Sequence, residues 1–301
     1  LTVAIDQMRK GLEGLLNTDG SGTLDTVVST SGTAVLNVNN ANQFFDNQVI
    51  GIFNPAGPAQ RGVNVQIQSV DANAKTITLT GAFPVGTTAA DLIVVSGGSG
   101  VAASSLLGVK YHQSASTSGT WLQLARATYP GKLYTPNVSL ANQSITPQAV
   151  RLAEAQLKRR LGINTPEVDD LMWHMNVDQV AAWENVGLIV TQVIQNQLGG
   201  SASEDMLKKT APKTMAGRPI IESLNATPGR IDGLCLKHWC KTVTKPIGPL
   251  EFGGQTMFPT YGASGGVNFS TVSYLVWGGN IASDNPGAGC ILTAAAVPAN
   301  Y

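Results

Sequence analysis

The stretch LLNTDGSGTLDTVV, residues 15–28, joins two segments whose hydrophobic periodicities differ. Before it, apolar residues recur at helical spacing, and from about Val27 onward they alternate with a period of two. The small polar residues between the two segments predict that the helix ends near Asn17 and that a β-rich segment follows. This change of period decides the fold, because helices and strands place their buried side chains at different intervals.

The same loop partly matches a calcium-binding EF-hand loop, so a cation site is the alternative to a helix stop. Counted from Asn17, suitable residues occupy template positions 1, 3, 5, 6 and 9: Asn17, Asp19, Ser21, Gly22 and Asp25. Position 12 is Val28, where the template requires a bidentate Glu, and no helix is predicted after it. The residues therefore favour a glycine-rich helix stop, and we expect no metal there.

The composition limits the classes of function. The chain has 301 residues with zero formal net charge, and only 13% of them are charged. An extended nucleic-acid surface needs clustered Lys and Arg, so this composition disfavours one. Low charge combined with 43% hydrophobic residues favours a surface that partners cover. No apolar run approaches the length of a membrane span and no signal peptide opens the chain, so we expect no membrane association.

The first segment, LTVAIDQMRKGLEGLLN, predicts a helix over residues 1–17. No capping residue precedes Leu1, so we expect that the chain begins inside a helix whose upstream sequence is not represented.

Residues 26–100 predict a compact all-β module. Short alternating or apolar runs are separated by Gly, Pro and Asn, and they predict strands at 34–38, 48–53, 63–70, 76–80 and 91–95. The segment SGGSG, residues 96–100, predicts a flexible exit from the module.

Helices and strands are mixed in the remainder of the chain. Thr146 as N-cap, Pro147 at the first position and Gly162 after the end predict a helix over 147–161, with Glu154 and Lys158 as a pair. A helix is also predicted at 176–187, while 188–198 fits either type. Strands are predicted at 168–175, 218–224, 233–239, 267–280 and 289–297. The predicted fold class is α+β with a β insertion.

Several motifs resemble catalytic or metal sites but lack essential parts. GASGG at 262–266 fits the nucleophile-elbow pattern, yet a strand follows it and the last histidine is His238. Cys235, His238 and Cys240 lack zinc-finger spacing, and Cys290 is far along the chain. The three cysteines are therefore interpreted as ordinary reduced thiols in strands.

The other candidates also have structural interpretations. His112 has no evident partner, and His174 lies in an apolar strand as a satisfied core or interface histidine does. The Gly-rich segment 97–105 lacks the Lys of a phosphate loop, and Asp169–Asp170 flank a strand. Lys158–Arg160 complement the end of a helix. We therefore expect no catalytic residues, no cofactor, no metal and no enzymatic activity.

Four segments, taken in order, resemble the major capsid protein of tailed double-stranded-DNA bacteriophages, which has the Hong Kong 97-type capsid fold. They correspond to the end of the spine helix, the helix and strand of the A-domain, the strand after its variable loop, and the closing P-domain segment. The spine-helix end corresponds to LLNTDGSGTL (15–24), and the A-domain helix and strand correspond to residues 147–161 and DDLMWHMNVDQVAAWEN (169–185). The strand after the variable loop corresponds to MAGRPIIES (215–223), and the closing P-domain segment to VSYLVWGGNIASDNPGAGCILTA (272–294).

The resemblance implies a division of the chain into five segments. Residues 1–25 are the C-terminal part of the spine helix in the P-domain, and 26–100 form a β-rich insertion. Residues 101–240 form the A-domain, 241–286 the P-domain strands and loop, and 287–301 a strand that returns to the A-domain. The family's N-terminal arm and E-loop precede the spine helix and are absent from this sequence.

The function that the resemblance implies is self-assembly into the icosahedral head that encloses phage DNA. Its partners are then further copies in hexamers and pentamers, the packaged DNA at the inner surface, scaffold, portal and a decoration protein. The protein is then located in the virion after assembly in the bacterial cytoplasm. Some family members cross-link a Lys of the E-loop to an Asn, and Asn268 lies near the P-domain region where the resemblance would place that Asn. The β module is expected on the outer surface, and Lys158–Arg160 at an inner surface or an intersubunit contact.

Two alternatives remain open at this stage. An encapsulin, which is a protein compartment shell of the same fold, encloses enzymes instead of DNA. Such shells usually lack a large β insertion at this place, so the module counts against this alternative. A secreted β-rich adhesin or binding module is disfavoured by the missing signal peptide and by the mixed C-terminal half.

Overall fold

A computed structural model describes residues 2–56, 60–96, 105–162, 170–185, 214–261 and 267–297. The chain is a mixed α+β protein in which strands predominate. The helices are α1 (Thr2–Leu16), α2 (Val109–His112), α3 (Pro147–Leu161) and α4 (residues 177–185). The described strands belong to a closed barrel, a six-stranded sheet and three two-stranded ribbons.

The barrel spans residues 23–95 and so begins three residues before the β-rich module that the sequence predicts at 26–100. Its strands are β1 (Thr23–Ser31), β2 (Val35–Val38), β3 (Val49–Phe53), β4 (Gln60–Asp71), β5 (Thr76–Leu79) and β6 (Leu92–Val95). They close in the order β1-β2-β5-β4-β3-β6, with every pair antiparallel. Each of the five strands predicted in this segment is present, and closure leaves the barrel without an exposed edge.

Apolar side chains fill the barrel interior. The core residues are Leu24, Val27, Leu36, Val38, Ala41, Phe44, Ile50, Ile52, Ile67, Ile77, Leu79 and Ile93. In β4 and β5, Ile67 and Ile77 are completely buried while Gln66 and Gln68 face solvent, which is the alternation that the sequence shows. The interior is a packed core, as expected for a barrel of this size.

The second body is a six-stranded mixed sheet. Its strands are β9 (Asn137–Gln143), β10 (Leu171–Asn176), β11 (Thr214–Met215), β12 (Arg218–Ser223), β13 (Ile231–Cys235) and β18 (Cys290–Ala295). Their order is β11-β12-β10-β13-β18-β9, so the strand nearest the C-terminus lies inside the sheet. The short strands β7 (Thr120–Trp121) and β8 (Leu124–Ala125) form a separate hairpin.

Helix α3 covers this sheet and has the predicted ends. The Thr146 hydroxyl accepts a hydrogen bond from the Ala149 backbone at 3.2 Å, and Gly162 follows the helix with φ +67°. Buried Val150, Ala153 and Leu157 pack into the core of the sheet body. Arg218 on β12 lies 4.0 Å from the Glu154 carboxylate, and both Arg218 and the predicted partner Lys158 oppose the rise that burial causes in the pKa of Glu154.

The remaining strands form two ribbons, one of which packs on α1. Strands β14 (Trp239–Pro249) and β17 (Leu275–Ser283) form one ribbon, and β15 (Phe258–Tyr261) and β16 (Val267–Val272) form the other. Helix α1 packs on β17, and we call α1 with these four strands the arm.

Two predicted strands in this part of the chain are corrected by the structure. The strand predicted at 233–239 ends at Cys235 and gives way to a 3-10 turn, Leu236–His238. The strand predicted at 267–280 divides into β16 and β17 because the backbone leaves extended pairing at Ser273–Tyr274.

Candidate functional site

The loop between α1 and the barrel forms a helix stop, as the sequence predicts. Gly20 and Gly22 have φ angles of +88° and +77°, which glycine adopts without steric cost. The Asp19 carboxylate accepts hydrogen bonds from the backbone and the hydroxyl of Ser21, at 3.0 and 2.5 Å. Asp25 accepts from the backbone N–H groups of Thr26 and Asn40, each at 2.7 Å. The two carboxylates are therefore used in fixing the loop to the barrel.

A crevice at the junction of the barrel and the sheet body brings together charges that are distant in sequence. It has a volume of about 300 Å³ and is lined by Asp19, Thr23, Leu24, Asp25, Thr26, Asn39, Gln43, Lys110, Thr227 and Pro228. Burial lowers the pKa of Lys110; nearby Arg230 lowers it further, while Asp19, Asp232 and Asp25 oppose the shift. Burial likewise raises the pKa of Asp25. Sequence reasoning missed this network because Lys110 shares no motif with its carboxylate neighbours.

His112, which has no evident partner in the sequence, lies in an aromatic cluster. The indole N–H of Trp121 donates to His112 Nδ1 at 3.1 Å, and the rings of Tyr111, Trp121 and Trp239 meet the imidazole edge-on. Burial is the main cause that lowers the pKa of His112 to about 4. Neighbouring Arg126 donates to the carbonyls of Tyr111 and Leu133. The imidazole is therefore neutral at pH 7 and serves in packing.

His174 is buried on β10, directly opposite Asp232 on β13. Burial lowers the pKa of His174, and the Asp232 carboxylate opposes that shift. Within the described residues His174 Nδ1 has no hydrogen-bond partner, so the prediction of a satisfied histidine is wrong for this atom.

The candidate metal ligands around Cys235 differ in solvent exposure. Cys235 and Cys290 are buried, Cys240 is exposed on β14, and His238 Nδ1 lies 2.7 Å from a carboxylate oxygen of Asp284. Among the described residues no group of three or more His, Cys, Asp or Glu side chains could hold a metal ion.

Some candidates lie wholly or partly outside the described residues. These are GASGG at 262–266, most of the Gly-rich segment 97–105, Asp169, the segment 188–198 and the side chain of Asn268. Asp170 precedes β10, and its carbonyl accepts from the Leu236 backbone at 3.3 Å.

The three basic residues at the end of α3, Lys158–Arg160, differ in their contacts. Lys158 and Arg159 are exposed. The Arg160 guanidinium lies 4.0 Å from the centroid of the Tyr134 ring and donates to the carbonyls of Tyr134 and Pro130. Arg160 therefore fixes the 130–134 segment against α3, while its two neighbours remain available to solvent.

The arm is the part of the described structure that lacks a core of its own. From 236 to 282, no residue whose burial is described is buried. Along α1 from residue 4 onward only Gly14 is buried, and Ile5, Met8 and Leu12 are half-covered. Exposed apolar side chains lie on β14 (Val243), in the connection from β14 to β15 (Leu250, Phe252 and Met257) and between β16 and β17 (Tyr274). An isolated two-stranded ribbon is at best marginally stable in water, so this arm needs further contacts.

No protein-family model and no curated protein matches the chain. Among solved structures, the chain is similar to one titled "Cyanophage A-1(L) capsid asymmetric unit", with 10% identity and a TM-score of 0.43. The match covers 64% of this chain and 61% of that chain, so it spans less than two thirds of the capsid chain's length. Similarity at this level assigns neither fold nor function. None of the described helices is long and apolar enough to span a membrane.

Proposed function

We propose that this protein is a structural subunit that assembles with further copies of itself into a closed shell. The observation that carries the proposal is the arm, in which a helix and two ribbons bury no apolar side chain among the residues whose burial is described. Apolar surface arranged in this way is typical of a protein–protein contact. Contacts between copies of the protein would cover this apolar surface. Contacts that join two different surface patches can close into rings of subunits.

The shell that fits best is the icosahedral head of a tailed double-stranded-DNA bacteriophage, with this protein as its major capsid protein. The order of the four sequence segments that resemble that family supports this choice. On this proposal the protein has no enzymatic activity and resides in the virion after assembly in the bacterial cytoplasm. The subunits form hexamers and pentamers around DNA, with scaffold, portal and a decoration protein as further partners.

An encapsulin is the second candidate, because the arm requires neighbouring copies in that kind of shell as well. The barrel at residues 23–95 disfavours it, since an inserted domain at this place is unusual in such compartments. The two candidates differ in cargo, which is DNA for the phage head and enzyme for the encapsulin.

Sedimentation velocity and negative-stain electron microscopy of the purified protein test the proposal. Closed shells are expected, and a monodisperse monomer at high protein concentration would contradict self-assembly. Particles recovered from infected or expressing cells are then treated with nuclease. Protected double-stranded DNA supports the phage head, whereas particles that contain enzyme and no DNA favour the encapsulin.

A further inference from the structure

A tight turn lies in the segment that connects β14 to β15 within the arm. Phe252 and Gln255 each donate a backbone hydrogen bond to the other's carbonyl, at 3.0 and 3.1 Å. Between them, Gly253 and Gly254 have φ angles of +58° and +78°, the combination of a type I′ turn. Because glycine adopts these angles without steric cost, the turn closes without backbone strain.

This turn presents an apolar patch, which we call the elbow and define as Leu250, Phe252, Met257 and Tyr274. The side chain of Phe252 is 78% exposed and that of Met257 is 65% exposed. The Leu250 backbone donates to the Tyr274 carbonyl at 2.6 Å, so the two ends of the patch are tied together. These backbone hydrogen bonds hold the exposed side chains close together on one part of the arm.

The elbow also carries a negative charge. Glu251, next to Phe252, is the only acidic residue in the sequence from 236 to 283. It is exposed, and it takes part in none of the ion pairs formed among the described residues. The patch therefore combines an exposed aromatic ring with one unpaired carboxylate.

A groove with complementary chemistry lies on the sheet body, between α3 and the segment that leads into β9. It has a volume of about 580 Å³ and is lined by Gly131, Tyr134, Pro136, Asn137, Gln156, Arg159 and Arg160. Arg160 stacks on Tyr134 and donates to two carbonyls of the opposite wall, which fixes the width of the groove. Exposed Leu152 lies on the same face of α3 as Gln156 and Arg159, since the three are spaced by four and three residues.

We propose that the elbow of one copy docks into the α3 groove of a neighbouring copy, with Phe252 against Tyr134 and Pro136 and with Glu251 paired to Arg159. Arg159 is the partner because it is exposed and forms no ion pair within the described residues, whereas Arg160 is already engaged. The contact joins two different surfaces, so each subunit both gives an elbow and receives one. This inference rests on the proposed self-assembly and names one of its contacts.

A charge exchange tests the pairing. Glu251→Arg and Arg159→Glu each place like charges opposite one another, and we expect each to lower the assembly rate about tenfold or more. Combining both substitutions restores an opposite-charge pair and should recover most of the lost rate. Light scattering measures the rate, and far-UV circular dichroism of the unassembled protein checks that each variant is folded.

The matched control combines Arg159→Glu with Glu222→Arg, since Glu222 is an exposed acid on β12 and lies in neither surface. This pair should not recover assembly. Phe252→Ser adds a test of the apolar part and should slow assembly without lowering the melting temperature of the subunit. The contact is disproved if Glu251→Arg assembles like the unmodified protein, or if the exchange restores nothing. If the unmodified protein itself stays monomeric, the proposed self-assembly fails instead.

Discussion

Asn40 in the barrel and Asn176 at the end of β10 donate side-chain hydrogen bonds to the same two backbone carbonyls, those of Leu224 and Ala226. Asn40 Nδ2 lies 2.8 and 3.4 Å from them, and Asn176 Nδ2 lies 3.3 and 3.0 Å from them. The turn between these carbonyls also contacts α1, because the Asn225 side chain donates to the Glu13 carboxylate at 2.9 Å. One turn therefore connects barrel, sheet body and arm.

The shared acceptors predict that Asn40 and Asn176 are energetically coupled. Asn40→Ala or Asn176→Ala alone leaves each carbonyl one donor, and we expect a loss of about 1 kcal/mol in the free energy of unfolding. The double variant leaves both carbonyls unpaired, so it should lose about 1 kcal/mol more than the sum of the single losses. Urea denaturation measures this. As a control, Asn37→Ala removes an exposed hydrogen bond to Ser29 and should add no coupling with Asn176→Ala.

The Arg61–Asp91 ion pair is predicted to stabilise the barrel. Arg61 Nε lies 2.7 Å from Asp91, whose side chain is only 1% exposed. Arg61→Leu leaves a buried carboxylate without its cation, and we expect a loss of about 3 kcal/mol. The control is Arg9→Leu, which removes an exposed pair with Asp6 and should change stability by less than about 0.5 kcal/mol. Equal effects of the two substitutions in thermal melts would contradict this role.

Gly233 on β13 is predicted to tolerate no side chain. A Cβ atom there would lie 2.6 Å from Cys290 Sγ and 3.0 Å from the Trp173 ring. Gly233→Ala should therefore lower the free energy of unfolding by about 1–3 kcal/mol. Adding Cys290→Ala removes the closest atom and should recover part of that loss. Gly81→Ala, where the added Cβ has no neighbour within 4 Å, is the matched control in the same chemical denaturation.

The buried imidazole of His112 should contribute a loss of stability as the pH falls below about 6.5. Burial lowers the pKa of His112 from 6.5 to about 4, so the unfolded chain takes up the proton first. The stabilisation is complete above pH 6.5 and is lost between 6.5 and 4, by an amount on the order of 3 kcal/mol. The lowered pKa of His174 acts in the same sense, whereas the raised pKa of Asp25 and Glu154 acts in the opposite sense.

The His112 contribution is isolated with His112→Asn, whose side-chain oxygen can still accept from Trp121. Urea denaturation at about pH 7 and about pH 5 should show a smaller loss for this variant than for the unmodified protein. Equal losses in the two proteins would show that His112 is not the group responsible.

The barrel should face outward in assembled shells. Val85 lies in the loop between β5 and β6, and its side chain is 98% exposed. A Val85→Cys variant in a Cys240→Ser background should react in intact shells with a maleimide too large to pass through the shell wall. The Cys240→Ser shells without the added thiol give the background. Protection of the introduced thiol until the shells are dissociated would place the barrel inside.

Local sequence patterns were sufficient to predict the elements that have capping residues at their ends or a regular apolar alternation. Thr146, Pro147 and Gly162 predicted both ends of α3, and the alternation around Ile67 predicted β4 and its solvent-facing side. Such features depend on residues a few positions apart, so they can be recognised without knowing the rest of the fold. The break at Ser273–Tyr274 escaped prediction because both flanking runs are equally rich in strand-forming residues.

The charged crevice and the His112 cluster could not be predicted in the same way. Asp19, Asp25 and Asp232 act electrostatically on Lys110 although they come from chain segments that share no motif with it. His112 obtains its hydrogen-bond partner from Trp121 in a separate hairpin. These contacts depend on how the helices and strands pack, and hydrophobic periodicity carries no information about which elements become neighbours.

The sequence by itself determined where most helices and strands lie, which of their faces are apolar, and where the helical period gives way to the β period at residues 15–28. Only the tertiary structure decided that six strands close into a barrel and that β18 lies between β13 and β9. It also decided that the turn at Leu224–Ala226 connects the barrel, the six-stranded sheet and α1. The physical reason is the range of the interactions. Periodicity and capping act within a few residues, whereas strand order and side-chain partners are set by long-range packing and hydrogen bonding.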